Sequence, residues 1–300
     1  GISGVTAKQV RGGHYGTRYW IGPEKFETEN LDGDNSRVIM DRVIPFVRSA
    51  VTAQQPFFTV IWFHSPHSPV VAGKKHRDMY SHLSPEKQHY YGCITALDRQ
   101  VGRLRSELRR LDIARNTMIW YFSDNGPERK FGVGAGSTGS LRGHKRALFE
   151  GGIRVPGILE WPARIAAGQT TNMPVVTSDV MPTIVDLLNL PLPDQRPLDG
   201  VSLVPLLLRG VQTRPAPIAF EFPTGARSAG SPPVALIENR YKLLSDMSDK
   251  GRDMLFDIVA DPHEKDDLAS RLPRRVASMK RVLAAWRASC SRSAAGADYQ

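Results

Sequence analysis

A strand, a long helix and a second strand follow one another in the middle of the chain, and this order constrains the fold most. The apolar runs 57–63 and 118–122 have the length and aromatic content of buried strands. Between them, from Ile94 to Leu111, apolar residues recur at alternating spacings of three and four. This stripe is typical of a helix packed on a sheet, with a short coiled coil as the alternative. Since a crossover helix places its two strands parallel, the pattern predicts an α/β fold with a mostly parallel central sheet flanked by helices.

Further elements extend this core. The long helix begins at Ser84 and Pro85, a good cap followed by a residue suited to the first turn. Periodicity predicts helices over 36–50, with an interruption at Pro45, and over 178–189, and a strand within 154–161.

The character of the chain changes after about residue 212. Short strand patterns at 234–238, 241–245 and 254–258 predict a small antiparallel sheet. Residues 273–289 predict a basic amphipathic helix packed on that sheet, with a place on a membrane surface as the alternative. We therefore expect an α/β domain over residues 1–212 and a small C-terminal subdomain of antiparallel sheet plus helix over residues 213–300.

The composition excludes several classes of protein. The 300 residues carry 40 Lys plus Arg against 30 Asp plus Glu, and such a basic surface attracts anions without specifying them. Nucleic-acid motifs are absent from the sequence, no apolar run is long enough to span a membrane, and the two cysteines, Cys93 and Cys290, give no zinc spacing.

The first residues lack the apolar core of a signal peptide and an initiator Met, so we interpret the chain as part of a longer protein.

Both predicted strands run directly into polar loops. The first is followed by residues 64–69 and the second by residues 123–128. Ligands bind outside the carboxyl ends of strands in parallel α/β sheets. We therefore expect the two loops to lie side by side around one site.

Asp124 and Asn125 are the candidate metal ligands. A carboxylate next to an amide oxygen is a hard oxygen pair that suits Ca²⁺ or Mg²⁺. Gly126 and Pro127 would provide the turn that lets both side chains reach one partner. The alternative is that these four residues form a turn and nothing more.

His67 and Lys145 are the candidate anion-binding residues. His67 lies between two prolines that stiffen its loop, where it could donate to an anionic oxygen, act as an acid or only cap a backbone carbonyl. His64 is the competing histidine. Lys145 could offer a compact charge to a tetrahedral oxyanion or simply be solvated.

The order of these motifs resembles a known family, the sulfatases of the alkaline-phosphatase-like superfamily. The resemblance covers roughly residues 37–270. It rests on the motifs Pro66-His67-Ser68-Pro69, Ser123-Asp124-Asn125-Gly126-Pro127, Leu141-Arg142-Gly143-x-Lys145, Glu150-Gly151-Gly152-x-Arg154-Val155-Pro156, Thr177–Ile184, Leu198–Leu203 and Asp261-Pro262-His263-Glu264.

The resemblance implies a role for each candidate residue. Asp124 and Asn125 would be calcium ligands, with Mg²⁺ the weaker candidate. His67 and Lys145 would bind the sulfate oxygens and assist departure of the leaving alcohol. The substrate would be a sulfated small molecule or a sulfated glycan, and the protein would be periplasmic or secreted.

Three motifs that precede the Pro-His-x-Pro loop in that family are not found before Pro66 in this sequence. These are the C/S-x-P-x-R motif that yields the formylglycine nucleophile, an early Asp-Asp calcium pair and a G-K-x-H segment; Gly73-Lys74-Lys75-His76 fits the last pattern but follows the loop. All three precede the Pro-His-x-Pro loop in the family, so we expect formylglycine in a missing N-terminal part and no activity from these residues alone. A phosphodiesterase or phosphonate hydrolase of the same superfamily, or a non-catalytic binder of sulfated glycans, is the alternative.

Overall fold

The computed structural model describes residues 20–21, 25–26, 33–128, 136–192, 197–222, 228, 230–248 and 251–299 of the 300. They belong to two compact units. The first takes the described residues of 1–118, 128–137 and 161–163. The second takes those of 119–127, 138–160 and 164–300. The predicted domain boundary between residues 212 and 213 stays a prediction.

The first unit is mainly helical. Its elements are the antiparallel strands β1 (Trp20–Ile21) and β2 (Lys25–Phe26), the helices α1 (Ser36–Thr52), α2 (Lys74–Arg77) and α3 (Pro85–Arg110), and 3₁₀ turns at Asp78–Tyr80 and Ala114–Asn116. The predicted starts at Ser36 and Pro85 are confirmed. The predicted interruption at Pro45 is wrong, because α1 continues through it.

The apolar run 57–63 is not a strand among the described residues. Exposure alternates along the run, and the side chains of Phe58, Val60 and Trp62 are 64%, 58% and 84% exposed. The prediction of a strand buried on both faces is therefore wrong for this run. No described strand pairs with it, and a strand acquires a second buried face only when neighbouring strands and helices cover it.

A carboxylate held by two arginines links α1 to α3. Arg48 and Arg110 each bind Glu107 with two N–H donors, at 2.7 and 3.1 Å from Arg48 and at 2.6 and 3.1 Å from Arg110. Hydrogen bonds from Arg48 and then Arg110 hold the pKa of the Glu107 carboxyl well below its ordinary value of 4.5.

The Glu107 ion pairs predict a pH-dependent contribution to stability. A lowered pKa means that the contribution is present above the unfolded-state pKa and is lost as pH falls below about 4.5. We expect Glu107→Gln to lower the melting temperature at pH 7, with the difference from the parent chain shrinking at acid pH. Thermal unfolding across pH tests this, with the exposed Glu86→Gln as the control. An equal loss at every pH would contradict it.

The second unit contains two sheets. Its elements are β3 (Ile119–Phe122), α4 (Glu150–Ile153), β4 (Gly157–Glu160), α5 (Val180–Leu188), α6 (Val204–Arg209), β5 (Ile218–Glu221), β6 (Val234–Glu238), β7 (Tyr241–Ser245), β8 (Met254–Asp257) and α7 (Pro273–Ala294), with 3₁₀ turns at Thr177–Asp179 and Ala297–Tyr299. The predicted strand at 118–122 is confirmed as β3. Its partner is β4 in antiparallel register, so the parallel neighbour predicted from the crossover is not seen among the described strands.

The four-stranded sheet β5-β6-β7-β8 is antiparallel throughout. Its three predicted strands are confirmed, and β5 was missed because its four residues follow a Pro-rich stretch. One face packs on Ala147, Leu148 and Phe149. The other face packs on Val276, Met279 and Leu283 of α7, which confirms that the helix packs on the sheet.

A buried ion pair organises the segment around α5. Arg214 binds Asp179 with two donors, at 2.6 and 2.8 Å, and neither side chain is exposed. The same carboxylate accepts the backbone N–H groups of Val176 and Val201, both at 2.9 Å. The Thr177–Ile184 motif is thus a structural junction in this chain.

Both cysteines are free thiols. Cys93 is buried, its Sγ lies 2.8 Å from the Val71 carbonyl, and burial raises the pKa of the thiol well above its ordinary value. Among the described helices, none is both long and apolar enough to cross a membrane.

Candidate functional site

The chain turns immediately after β3, as the sequence predicts. Ser123 Oγ donates to the Asn125 carbonyl at 3.2 Å, and Asn125 Nδ2 donates to the Gly126 carbonyl at 2.8 Å. Because Nδ2 is engaged, the side-chain oxygen Oδ1 of Asn125 is directed elsewhere and can accept or ligate. The Asp124 side chain next to it is exposed.

Gly126 joins this turn to the segment that carries the Glu-Gly-Gly motif. Its N–H donates to the Gly152 carbonyl at 2.9 Å. A Cβ at position 126 would lie 1.9 Å from the Gly151 oxygen, a distance that no side chain can occupy. The glycine therefore permits the two backbones to approach closely, and this approach fixes the position of Asn125.

Lys145 is held against the same turn. Its N–H donates to the Pro127 carbonyl at 3.0 Å. The loop that carries it turns at Gly143, which has a φ of +80°, and is closed by a Gly151 N–H donated to the Arg142 carbonyl at 2.7 Å. The Lys145 side chain is half-buried and makes no ion pair with the described residues. His144 Nδ1 donates to the Lys145 carbonyl at 2.9 Å, so the imidazole packs back on its own loop.

The structure thus brings the turn 123–127 and the loop 142–152 together. Two backbone hydrogen bonds and a close glycine contact interlock them within the second unit, and a third backbone hydrogen bond closes the loop itself. Of the predicted site residues, Asp124, Asn125 and Lys145 lie on this framework. His67 lies in the other compact unit, so the predicted grouping of all four residues stays a prediction.

His67 is exposed in the loop after the run 57–63. Its Nδ1 donates to the Ser68 carbonyl at 2.9 Å, and His64 Nε2 lies 3.2 Å from the same oxygen. The two rings contact each other at a tilt of 59°, with centroids 4.7 Å apart. Since a carbonyl oxygen only accepts, Nδ1 of His67 carries its proton, and Nε2 is the nitrogen that could act on a ligand.

The sequence reading missed two residues that hold this loop. Ser65 is buried, and its hydroxyl lies 3.0 Å from Asn35 Oδ1 and 3.3 Å from Asp34 Oδ2. Asp34 and Asn35 lie directly before α1, with Asn35 at its N-cap position. Polar residues directly before an apolar-periodic helix are a helix-start signal, and that signal could have drawn attention to them.

The donors on the second unit fit a hard divalent cation in part. Asp124 and Asn125 offer a carboxylate and an amide oxygen, which Ca²⁺ prefers, but Ca²⁺ takes six to eight oxygens. In the described part of the chain no cluster of three or more His, Cys, Asp or Glu could hold a metal ion. A complete coordination sphere would therefore need further ligands.

Comparison with known proteins identifies the family. The family model described as Sulfatase matches residues 4–190, which is more than half of the chain. The chain belongs to the sulfatase family. A second model, described as the C-terminal part of N-sulphoglucosamine sulphohydrolase, matches residues 143–286 of this sulfatase.

Several curated sulfatases align with this one. Steryl-sulfatase of Homo sapiens is 35% identical over 161 residues, which is 51% of this chain and 26% of that protein. N-acetylgalactosamine-6-sulfatase of Rattus norvegicus is 32% identical, covering 58% and 33% respectively. Choline-sulfatase of Rhizobium meliloti is 31% identical over 256 residues, or 72% and 47%. The chain thus spans between a quarter and a half of the length of these relatives.

Solved structures confirm the predicted fold class. Ps i-CgsB, solved in complex with k-i-k-neocarrahexaose, has a TM-score of 0.77 at 26% identity, over 88% of this sulfatase and 56% of that chain. The PsFucS1 sulfatase from Pseudoalteromonas sp. has a TM-score of 0.71 at 22% identity, over 89% and 56%. The α/β fold of alkaline-phosphatase-like type predicted from the sequence is the fold of these neighbours.

Proposed function

We propose that the full-length protein hydrolyses a sulfate monoester and that this chain supplies part of its active site. Asp124 and Asn125 would hold the metal ion, and His67 and Lys145 would bind the sulfate. The observation that carries the proposal is the interlocked pair of segments 123–127 and 142–152, which presents metal-type oxygens and an ammonium group from one rigid framework. Pre-positioned charge of this kind is the largest single source of catalysis in many enzymes.

The residues of this chain would act through charge and proton transfer. Lys145 offers a compact positive charge to a sulfate oxygen on which negative charge develops. His67, as an imidazolium whose Nδ1–H is donated to the Ser68 carbonyl, would give its Nε2 proton to the ester oxygen of the departing alcohol and be left as the neutral Nδ1–H imidazole.

Calcium is the proposed metal ion, because the exposed carboxylate and the oriented amide oxygen are hard donors. Mg²⁺ is the second choice. When bound, the ion would supply Lewis acid assistance at the sulfate. The proposal assigns the formylglycine nucleophile to another part of the full-length protein, since no Cys or Ser in this chain begins the C/S-x-P-x-R motif.

The proposed substrate is a sulfated small molecule or a sulfated glycan. Support comes from the neighbours: Ps i-CgsB was solved with an oligosaccharide, and another neighbour was solved with its substrate D-glucosamine-2-N,6-O-disulfate. We also propose a periplasmic or secreted location, because the chain belongs to the sulfatase family.

Turnover by the full-length protein tests the proposal. We expect metal-dependent hydrolysis of an aryl sulfate, little hydrolysis of an aryl phosphate diester and no turnover by the 300-residue chain alone. Lys145→Met should reduce kcat/KM for the sulfate by about 10²- to 10³-fold, as expected for one lost oxyanion contact. Lys87→Met, at an exposed position of α3, is the matched control and should leave kcat/KM unchanged.

Two other outcomes would replace the proposal. Preferential hydrolysis of the phosphate diester would make the protein a phosphodiesterase of the same superfamily. Binding of a sulfated glycan with no hydrolysis of any ester would make it a non-catalytic binder. Robust activity of the 300-residue chain alone would refute the proposal that the nucleophile lies in another part of the full-length protein.

A further inference from the structure

A lysine is buried inside the second unit between two carboxylates. Lys242 lies on β7 with no exposed side chain, opposite Ile237 and Phe256 in the sheet core. Its Nζ lies 2.9 Å from Glu150 Oε1 and 2.9 Å from Glu264 Oε1. An ammonium group in such a place is tolerated only when it is paired. We call these three residues the buried triad.

The two acidic residues of the triad are also joined by a hydrogen bond from backbone to side chain. Glu264 Oε2 accepts the backbone N–H of Glu150 at 2.7 Å. The Glu150 carboxylate lies 3.3 Å from Arg154 at the other end of α4. The triad therefore fixes both the backbone and the side chain of Glu150, the first residue of α4. Burial raises the pKa of Glu264, with the Lys242 charge opposing that shift.

The segment fixed by the triad is the one that holds the candidate site. Glu150 is followed by Gly151 and Gly152, which contact the backbone of Gly126. The other end of the segment is held as well, because Arg142 lies 3.4 Å from the Glu264 carbonyl and stacks 3.9 Å above the Phe149 ring. The Glu150 end of the loop that carries Lys145 is thus held by Lys242 of β7 and by Glu264 after β8, and the Arg142 end is held by Glu264.

The cost of burying charge makes a purely stabilising role a poor explanation. Replacing a buried ion pair with packed apolar side chains is often neutral or stabilising, so such groups are weak contributors to stability. A charged triad adds hydrogen bonds, which hold only in a narrow range of distances and angles. Each hydrogen bond fixes one position of the loop against the sheet, whereas apolar contacts permit sliding.

We propose that Lys242, Glu150 and Glu264 are positioning residues, which hold Asn125 and Lys145 in place by clamping the loop 142–152 to the C-terminal sheet. The roles of Asn125 and Lys145 rest on the proposed function. The clamping itself does not, and it can be measured without metal or substrate.

Amide hydrogen exchange on the full-length protein tests the clamp. Lys242→Met should speed exchange of the Gly126, Lys145 and Gly151 amides at least about tenfold more than exchange of the β6 amides. The matched control is Leu283→Ala, which destabilises the same sheet from its other face and should speed all of these amides together. If Lys242→Met does not fold, Glu264→Gln, which keeps an acceptor for the Glu150 N–H, serves in its place.

Selective opening of the loop in the triad variants, and not in Leu283→Ala, is the expected result. The same pattern of exchange in both kinds of variant would overturn the proposal, because the triad would then contribute only to global stability. Failure of the hydrolase assignment would leave this result unchanged, so the two proposals can fail separately.

Discussion

Asp179→Ala is expected to reduce the free energy of unfolding of the second unit by about 3–5 kcal/mol. The substitution leaves the Arg214 guanidinium without its carboxylate in a place where neither side chain is exposed. It also removes the acceptor of two backbone N–H groups, those of Val176 and Val201. Denaturant unfolding followed by circular dichroism measures the loss.

The control is an ion pair of the same type on the surface. Asp266 and Arg271 lie 3.0 Å apart with side chains 65% and 68% exposed. Asp266→Ala should therefore cost at most about 1 kcal/mol. Equal losses for Asp179→Ala and Asp266→Ala would mean that the Asp179 pair is not buried as described.

Gly126→Ala is expected to disable the site. The added Cβ would lie 1.9 Å from the Gly151 oxygen and 2.9 Å from its carbonyl carbon, and neither atom can move aside by changing a rotamer. Overpacking of this kind costs about 1–3 kcal/mol or more. The turn must shift away from Gly152, and a displacement near 1 Å can cost about 10²-fold in rate. Aryl sulfate turnover by the full-length protein measures the effect.

A second glycine provides the contrast. Gly102 lies inside α3, and a Cβ there would meet nothing within 4 Å. Gly102→Ala should raise stability by up to about 1 kcal/mol, since alanine is the better helix former, and leave turnover unchanged. Wild-type turnover by Gly126→Ala would show that the close approach of the two backbones is not needed.

Sequence patterns correctly predicted the helices and strands that are specified by residues close together in the sequence. The spacing of apolar residues and the cap at Ser84 predicted α3, and short strand patterns predicted β6, β7 and β8. Gly126 and Pro127 also predicted the turn after β3. The family resemblance was carried by motifs that include this turn and is confirmed.

What depends on distant partners could not be predicted. The run 57–63 has the composition of a buried strand, yet Trp62 is mostly exposed, because burial depends on the elements that cover a strand. Lys242 has the sequence context of an ordinary strand lysine. Its partner Glu150 lies 92 residues away in sequence, and nothing local to either residue indicates that they meet.

Asp124 and Asn125 are proposed to ligate the catalytic metal ion beside Lys145. A crystal structure of the full-length protein grown with Ca²⁺ and sulfate tests this proposal most directly. We predict a calcium ion about 2.3–2.6 Å from an Asp124 carboxylate oxygen and from Asn125 Oδ1, with a sulfate contacted by Lys145 and His67. A calcium ion bound elsewhere, with Asp124 and Asn125 facing only solvent, would contradict the account.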